Sequence, residues 1–383
     1  MPELLDLAFP VDEYRQRVAA AQRTMAARGL DGVLFSHRAD VCYLTGMETC
    51  YMVAYHAAVL RSTGDPLLVT SEFEMLNALA SAWCAERVTY PTRVGDPLAA
   101  TCGLLRDLGL ERGRLGLQPA SLSAQQHEQI RRHLPAAELV DAGDLLHDIK
   151  VTKSPAEVAY LRAAAQLSTR AMEAALARAA VGRTDNDLAA AAWDTMVRGG
   201  SEFPCIDPII TVGRRSGIPH STFRRIPIQP GDAVFLEVGA CLRRYSAPLM
   251  RTAAAAPVPG PLREAADACR DSLRVLIEHM RPGALARDVA ARAAAVWRPQ
   301  TERLVWHGYY AYSVGLGFPP DWNDTPADIT LDSDLVLRPG MCFHATTSLR
   351  QPAEYGAAMG ETVLVTASGP EVLTGVPREL VVV

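Results

Sequence analysis

The sequence predicts two domains that mix helix and strand, and three observations lead there. Over residues 1–150, short apolar runs alternate with helical patterns, as in a small α/β domain. At Ser154, Pro155, Ala156 and Glu157, a capping box with proline in the first helical position starts a long amphipathic helix and a second domain, 151–383. Inside that domain the turn Gln229, Pro230, Gly231, Asp232 feeds an apolar run, 233–239, that reads as a buried strand with one acid in its middle, Glu237.

The elements follow in order. Residues 12–29 read as an Ala- and Arg-rich helix stopped by Gly29. Strand-like runs come at Gly32 to Phe35 and Pro66 to Thr70, with a weaker one at Leu115, Gly116 and Leu117; helical patterns cover 73–86 and 123–132. Between the first strands lie Tyr43, Leu44, Thr45 and Gly46, followed by Tyr51, Tyr55 and His56. In the second domain Val158, Leu161, Ala165, Met172 and Leu176 keep close to the helical period, and further helices are expected at 185–198, 261–280 and 285–297. No repeat or low-complexity tract interrupts the pattern.

Composition narrows the function classes. A chain of 383 residues, 49% hydrophobic and 21% charged, is long enough for two domains and a substantial core. Its net charge of −5 gives no footprint for nucleic acid or an anionic membrane surface. No apolar run is long enough to span a bilayer. The N-terminus, Met1 to Asp6, carries acids where a secretory signal needs a basic region, so a cytoplasmic protein is expected. Eight scattered cysteines suit reduced, buried thiols better than a disulfide framework or a zinc site.

A carboxylate among Val234, Phe235, Leu236 and Val238 costs several kcal/mol to bury unless it is compensated. Glu237 is therefore either a structural acid paired with Arg251 or Arg243, or a functional one. His220, after Pro219 in a turn, suits proton transfer near neutral pH, because unperturbed histidine titrates near 6.5.

Pro219 and His220, the Pro-Gly-Asp turn, the strand with a central acid and Gly239 two residues later, then Arg251 and Thr252, together resemble the superfamily of creatinase, prolidase and methionine aminopeptidase. Tyr43 to Gly46 resembles that superfamily's N-terminal domain, and Lys153, Ser154 and Glu157 its usual start of the catalytic domain. The resemblance implies an α+β protein: a pita-bread catalytic domain preceded by a smaller α/β creatinase-type N-terminal domain. It also implies that His220 is the central acid/base, and that the protein is a homodimer in which segment 43–56 of one subunit closes the site of the other.

Where peptidases of the superfamily place five metal ligands, this chain has Glu237, Pro248, Tyr312, Thr346 and Gly360, with an acid surviving next door at Glu361. That set cannot build a dinuclear site, so no metal and no cofactor are expected. Tyr312, Ser313 and Gly315, then Phe318 to Trp322, and Glu361 in its strand, resemble the ectoine hydrolase-like branch near creatinase. The expected activity is metal-independent hydrolysis of a C–N bond in a small cationic amidine- or guanidine-type substrate. His220 would shuttle protons, and Glu237 and Glu361 would clamp the cation or activate water.

Tyr312, His344, Phe318, Trp322 and Arg214 are further substrate-binding candidates, with Tyr51, Tyr55 and His56 as the wall from the partner subunit. Each has a plain reading too: Tyr312, Phe318 and Trp322 as packing, His344 as a satisfied core histidine, Arg214 and its neighbour Arg215 as solvated, and His307 as a cavity-lining residue at most. The competing functions are an Xaa-Pro metallopeptidase and a catalytically inactive binding module of the same fold.

Overall fold

The computed structural model describes residues 6–383, so the stretch Met1 to Leu5, on which much of the cytoplasmic expectation rested, lies outside the described residues. The chain divides into two compact units, Met1–Ile149 and Lys150–Val383. No helix among the described residues is long and apolar enough to cross a membrane.

Unit 1 runs α1 (Val11–Ala27), β1 (Gly32–Phe35), α2 (Arg38–Thr45), β2 (Ala57–Arg61), β3 (Leu67–Ser71), α3 (Met75–Ser81), β4 (Arg87–Tyr90), α4 (Pro97–Asp107), β5 (Arg114–Leu117), α5 (Ala124–His133) and β6 (Glu138–Asp141), with α6 (His147–Lys150) at the boundary. Its strands form a six-stranded sheet in the order β4-β3-β2-β1-β5-β6. Two expectations change here. Tyr43 to Thr45 are not a loop but the end of α2, stopped by Gly46 at φ 80° with its N–H on the Cys42 carbonyl. The helix expected over 73–86 shrinks to α3, because 87–90 pairs as a parallel strand beside β3.

Unit 2 follows with α7 (Pro155–Leu176), α8 (Asp185–Arg198), β7 (Ile209–Val212), β8 (Ala233–Leu242), β9 (Tyr245–Ala254), α9 (Gly260–His279), α10 (Ala286–Thr301), β10 (Ala311–Val314), β11 (Asn323–Ile329), β12 (Cys342–Gln351), β13 (Tyr355–Thr366), β14 (Gly369–Val372) and β15 (Val381–Val382). The capping box at Ser154 forms as the sequence requires: its hydroxyl accepts from the Glu157 N–H, and the Glu157 carboxylate accepts from the Ser154 N–H. The main path of the nine-stranded sheet is β11-β10-β12-β13-β9-β8-β7.

The two faces of this sheet differ, and strand alternation assigns every residue to one of them. Val234, Leu236, Val238 and Leu249 pack against the apolar sides of α7 and α8. Phe343, Ala345, Leu349, Met359, Val363 and Val365 pack against α9 and α10. The opposite face carries only a small apolar patch of Ile209, Phe235, Met250 and Ala358. Polar side chains gather on that second face.

A buried ion pair anchors β10 from the opposite side. Lys153 Nζ lies 2.7 Å from Asp324 Oδ2 and donates to Ser313 Oγ at 3.1 Å, while Ser313 donates to Asp324 at 2.6 Å. Gly315 is required beside it, because a Cβ there would lie 2.2 Å from Asp324 Oδ2.

Candidate active site

Glu237 points from the middle of β8 onto the second face, 5% exposed. Its nearest polar neighbour is His344 on β12, whose Nε2 lies 3.8 Å from Glu237 Oε1. His344 is fully buried, and neither ring nitrogen has a hydrogen-bond partner. The backbone at Glu361 and Pro248 lies near the imidazole and offsets part of the cost of its burial. Burial pushes the Glu237 carboxyl up to about 8, against the weaker pull of the Arg350 charge, and pushes His344 down to about 3. Between those values both groups are neutral.

Aromatic rings form a wall along the same face. His307 stacks on Tyr309 with ring centroids 4.2 Å apart, Tyr309 meets Tyr312 edge-on at 5.6 Å, and Tyr312 meets His344 at 5.3 Å. Trp322 completes the row 6.4 Å from His344. Burial first, and the nearby acids second, hold the Tyr309 hydroxyl up at about 12 and the Tyr312 hydroxyl well above its usual value. Several buried polar atoms in this unit lack hydrogen-bond partners: both nitrogens of His307, Trp322 Nε1, Ser348 Oγ, Thr211 Oγ1 and Asp328 Oδ1, besides those of His344. Native interiors leave few such atoms, and a concentration of them marks where a polar ligand or water belongs.

His220 follows the short 3-10 turn at Gly213–Gly217, exposed and in the left-handed region at φ 50°. A non-glycine residue held there is strained by order 1 kcal/mol or more, a cost that clusters at functional sites. Arg215 fixes the loop by donating to Ser221 Oγ at 2.6 Å and the Thr222 carbonyl at 2.7 Å. His307 is lowered to about 4, chiefly by burial and next by the Arg350 charge.

Glu361 does not join Glu237. On β13 it shares parity with Val363 and Val365, so it projects to the helix-covered face, 1% exposed. There it accepts from Arg251 Nη2 at 2.5 Å and Arg378 Nε at 2.9 Å, and from the Thr374 hydroxyl. The expectation of a clamp or base at this position is corrected: Glu361 is a fully partnered acid on the wrong side of the sheet.

Four more expected residues are placed differently. Tyr55 donates or accepts at Thr101 Oγ1, 3.2 Å away, and His56 Nδ1 is 2.9 Å from Thr70 Oγ1, so both are turned into the interior of unit 1 and cannot line a wall for a partner. Tyr51 alone of the three is exposed, at 58%. Arg214 donates through Nε to the Ala353 carbonyl at 3.0 Å, which ties it to the β12–β13 turn. Phe318 packs under the Arg244 guanidinium, 4.8 Å from its ring centroid.

A metal centre does not fit this face. Among the described residues no three His, Cys, Asp or Glu side chains converge. Rings also fill the space that ligands would need. A Cβ on Gly360 would lie 2.9 Å from His344 Cε1, and one on Gly239, opposite Pro248, would lie 2.9 Å from the Trp322 indole. Thr346 Oγ1 is occupied with Met250 Sδ.

Sequence reasoning left out Arg350 and Asp328, and noted Tyr309 only as a neighbour of His307. Arg350 is signalled by parity: it lies six residues after His344 on one strand, hence on the same face. Its guanidinium stacks over Phe235 at 4.4 Å and donates to the Ser216 carbonyl at 2.6 Å.

Two units, the larger with a buried acid, two histidines and an aromatic row on one face of its sheet, are the architecture of a pita-bread protein preceded by a creatinase-type domain. Residues 159–367 match metallopeptidase family M24, residues 17–150 match the creatinase/prolidase N-terminal domain, and the chain belongs to family M24. Hydrolysis is the reaction class of that family. The chain is 26% identical over 400 residues to an ectoine hydrolase of Halomonas elongata, covering 99% of both chains. It is 23% identical to an Xaa-Pro dipeptidase of Pyrococcus horikoshii, covering 97% of this chain and 100% of that one. The crystal structure of dipeptidase PepE from Mycobacterium ulcerans superposes with a TM-score of 0.84 at 24% identity, over 98% and 99% of the two chains.

Proposed function

We propose that this protein hydrolyses a C–N bond in a small cationic amidine- or guanidine-type compound, without a metal ion. The observation that carries the reading is Glu237, a buried carboxyl with no hydrogen-bond partner but a neutral histidine 3.8 Å away, beside a row of aromatic rings. Aromatic faces and a carboxylate are the combination that holds an organic cation. A bound amidinium supplies the positive charge that Glu237 lacks, which draws its proton off and turns it into a carboxylate. The full-length likeness to an ectoine hydrolase supports the same reading.

The chemistry balances with the residues present. Water adds its oxygen to the amidinium carbon, forming a C–O bond as the C=N π pair moves onto nitrogen, and gives one proton to a base on the face. The C–N bond then breaks and its electron pair stays on the leaving nitrogen, which takes a proton. His220 is suited to deliver that proton, being exposed on a constrained loop. Glu237 orients the cation and is the nearest base for the water. The reading includes a homodimer in the cytoplasm, with the exposed stretch around Tyr51 and Val53 at the subunit contact.

A screen of small amidines, guanidines and cyclic amides, with product detection in chelator-containing buffer, tests the proposal. Xaa-Pro dipeptides with and without added Mn²⁺ form the comparison arm. Turnover of an amidine or guanidine is expected; turnover of dipeptides alone, and only with metal, would replace this reading by the peptidase one.

A further inference from the structure

With Glu361 on the helix-covered face, Glu237 is left without the second carboxylate that the clamp was expected to contain. The structure supplies another. Asp328 on the edge strand β11 is the direct cross-strand partner of Tyr312 on β10. Their neighbours Ala311 and Ile329 form the next pair and lie in the core against α9 and α10. Alternation therefore turns Tyr312 and Asp328 together onto the face that carries Glu237 and His344.

Asp328 Oδ1 is buried and has no hydrogen-bond partner. No ion pair or side-chain hydrogen bond holds this residue, in contrast with Asp324 four positions earlier, which is locked to Lys153 and Ser313. Glu237, Asp321 and Asp328 all raise the Tyr309 and Tyr312 hydroxyls, after burial, so the three acids act on the same two rings. His344, buried and unpartnered, closes the Tyr312 side.

We propose that Asp328 is the second carboxylate of the cation site, binding the substrate's positive charge beside Tyr312 on the face that carries Glu237. The proposal rests on the cationic-substrate reading and adds to it a residue and a geometry. A planar amidinium or guanidinium offers N–H groups on two sides, and two acids on one aromatic-lined face match that shape. Asp328 is less deeply buried than Glu237; burial and the nearby Asp321 raise its carboxyl above the ordinary value, and a bound cation favours the charged form of both acids.

The test is calorimetric binding of acetamidinium chloride and of acetamide, its neutral near-isostere, to the full-length protein. Asp328→Asn should weaken acetamidinium by about tenfold or more, the loss of one charge-assisted hydrogen bond, and leave acetamide unchanged. Asp328→Glu should restore most of the acetamidinium affinity, and the exposed-acid control Asp332→Asn should match wild type. Equal acetamidinium affinity in Asp328→Asn and wild type would overturn the assignment of Asp328 while sparing the cationic reading. Equal weakening of both probes would also overturn it, because that is what a structural role produces. Absence of saturable acetamidinium or guanidinium binding to wild type would overturn the cationic reading itself, and this inference with it.

Discussion

His344 Nε2 lies 3.8 Å from Glu237 Oε1 although two strands, β13 and β9, run between their own. The contact needs a curled sheet and small residues beneath it. Gly360 on β13, paired with Met250 on β9, provides the floor, and the imidazole lies directly over it. Arg350 crosses the same two strands to reach Phe235. The active face is thus defined by side chains that meet across the curl.

The pair makes stability depend on pH in a definite way. The Glu237 carboxyl stands at about 8 in the folded protein against 4.5 when unperturbed, so the unfolded chain releases this proton first and stability falls as pH rises between those values. His344 at about 3 against 6.5 does the converse: the unfolded chain takes a proton that the folded one refuses, and stability falls as pH drops through that range. The two slopes cancel from 4.5 to 6.5, so the contribution of this pair is flat there and declines from 6.5 to about 8. Glu237→Gln should abolish the alkaline decline and be more stable than wild type at pH 8.5, by on the order of 4 kcal/mol at most. Urea titrations at pH 5.5 and 8.5 give the comparison; parallel pH profiles of the two proteins would count against a neutral buried Glu237.

Gly360→Ala should destabilise the protein by about 1–3 kcal/mol through overpacking, because the new methyl meets His344 Cε1 at 2.9 Å and Met250 Cβ at 3.1 Å. Adding His344→Ala should recover part of that loss, giving a favourable coupling in a double-mutant cycle. Additive losses would mean that the imidazole does not lie over Gly360.

Glu361→Gln should behave as a structural lesion. It leaves buried Arg251 without its carboxylate partner, which costs about 3–5 kcal/mol. The fraction of the variant that remains folded at low temperature should retain wild-type KM and kcat. A folded Glu361→Gln variant with kcat reduced a hundredfold would return this acid to the chemistry.

Much of this was legible in the residues. The Ser154 capping box, the Pro230-Gly231 turn and the apolar run around Glu237 each specify local structure by short-range chemistry, and each formed. Glu361 was misplaced because motif spacing was followed without strand parity: Val363 and Val365 already mark its side of β13 as the core side. Tyr55 and His56 looked available because aromatic and imidazole groups near a loop suit a binding wall. Their partners, Thr101 and Thr70, come from distant stretches that no local pattern connects to them. Asp328 carries no local signal at all; only the pairing of β11 with β10 brings it to Tyr312.

His220→Ala should lower kcat by roughly two to four orders of magnitude with a smaller change in KM, as removal of a general acid does. Circular dichroism identical to wild type would establish that the strained loop has not simply collapsed. Near-native turnover in that folded variant would move proton delivery elsewhere, with His307 on the aromatic wall as an alternative.

The central claim is the proposal that this member of a metallopeptidase family hydrolyses its substrate with Glu237 and His220 in place of metal ions. The most direct measurement is kcat/KM for the amidine or guanidine substrate before and after exhaustive dialysis against EDTA, with Mn²⁺, Zn²⁺ or Co²⁺ then restored. The account predicts one value throughout, within error. A fall of tenfold or more on chelation, reversed by any of these ions, would contradict it.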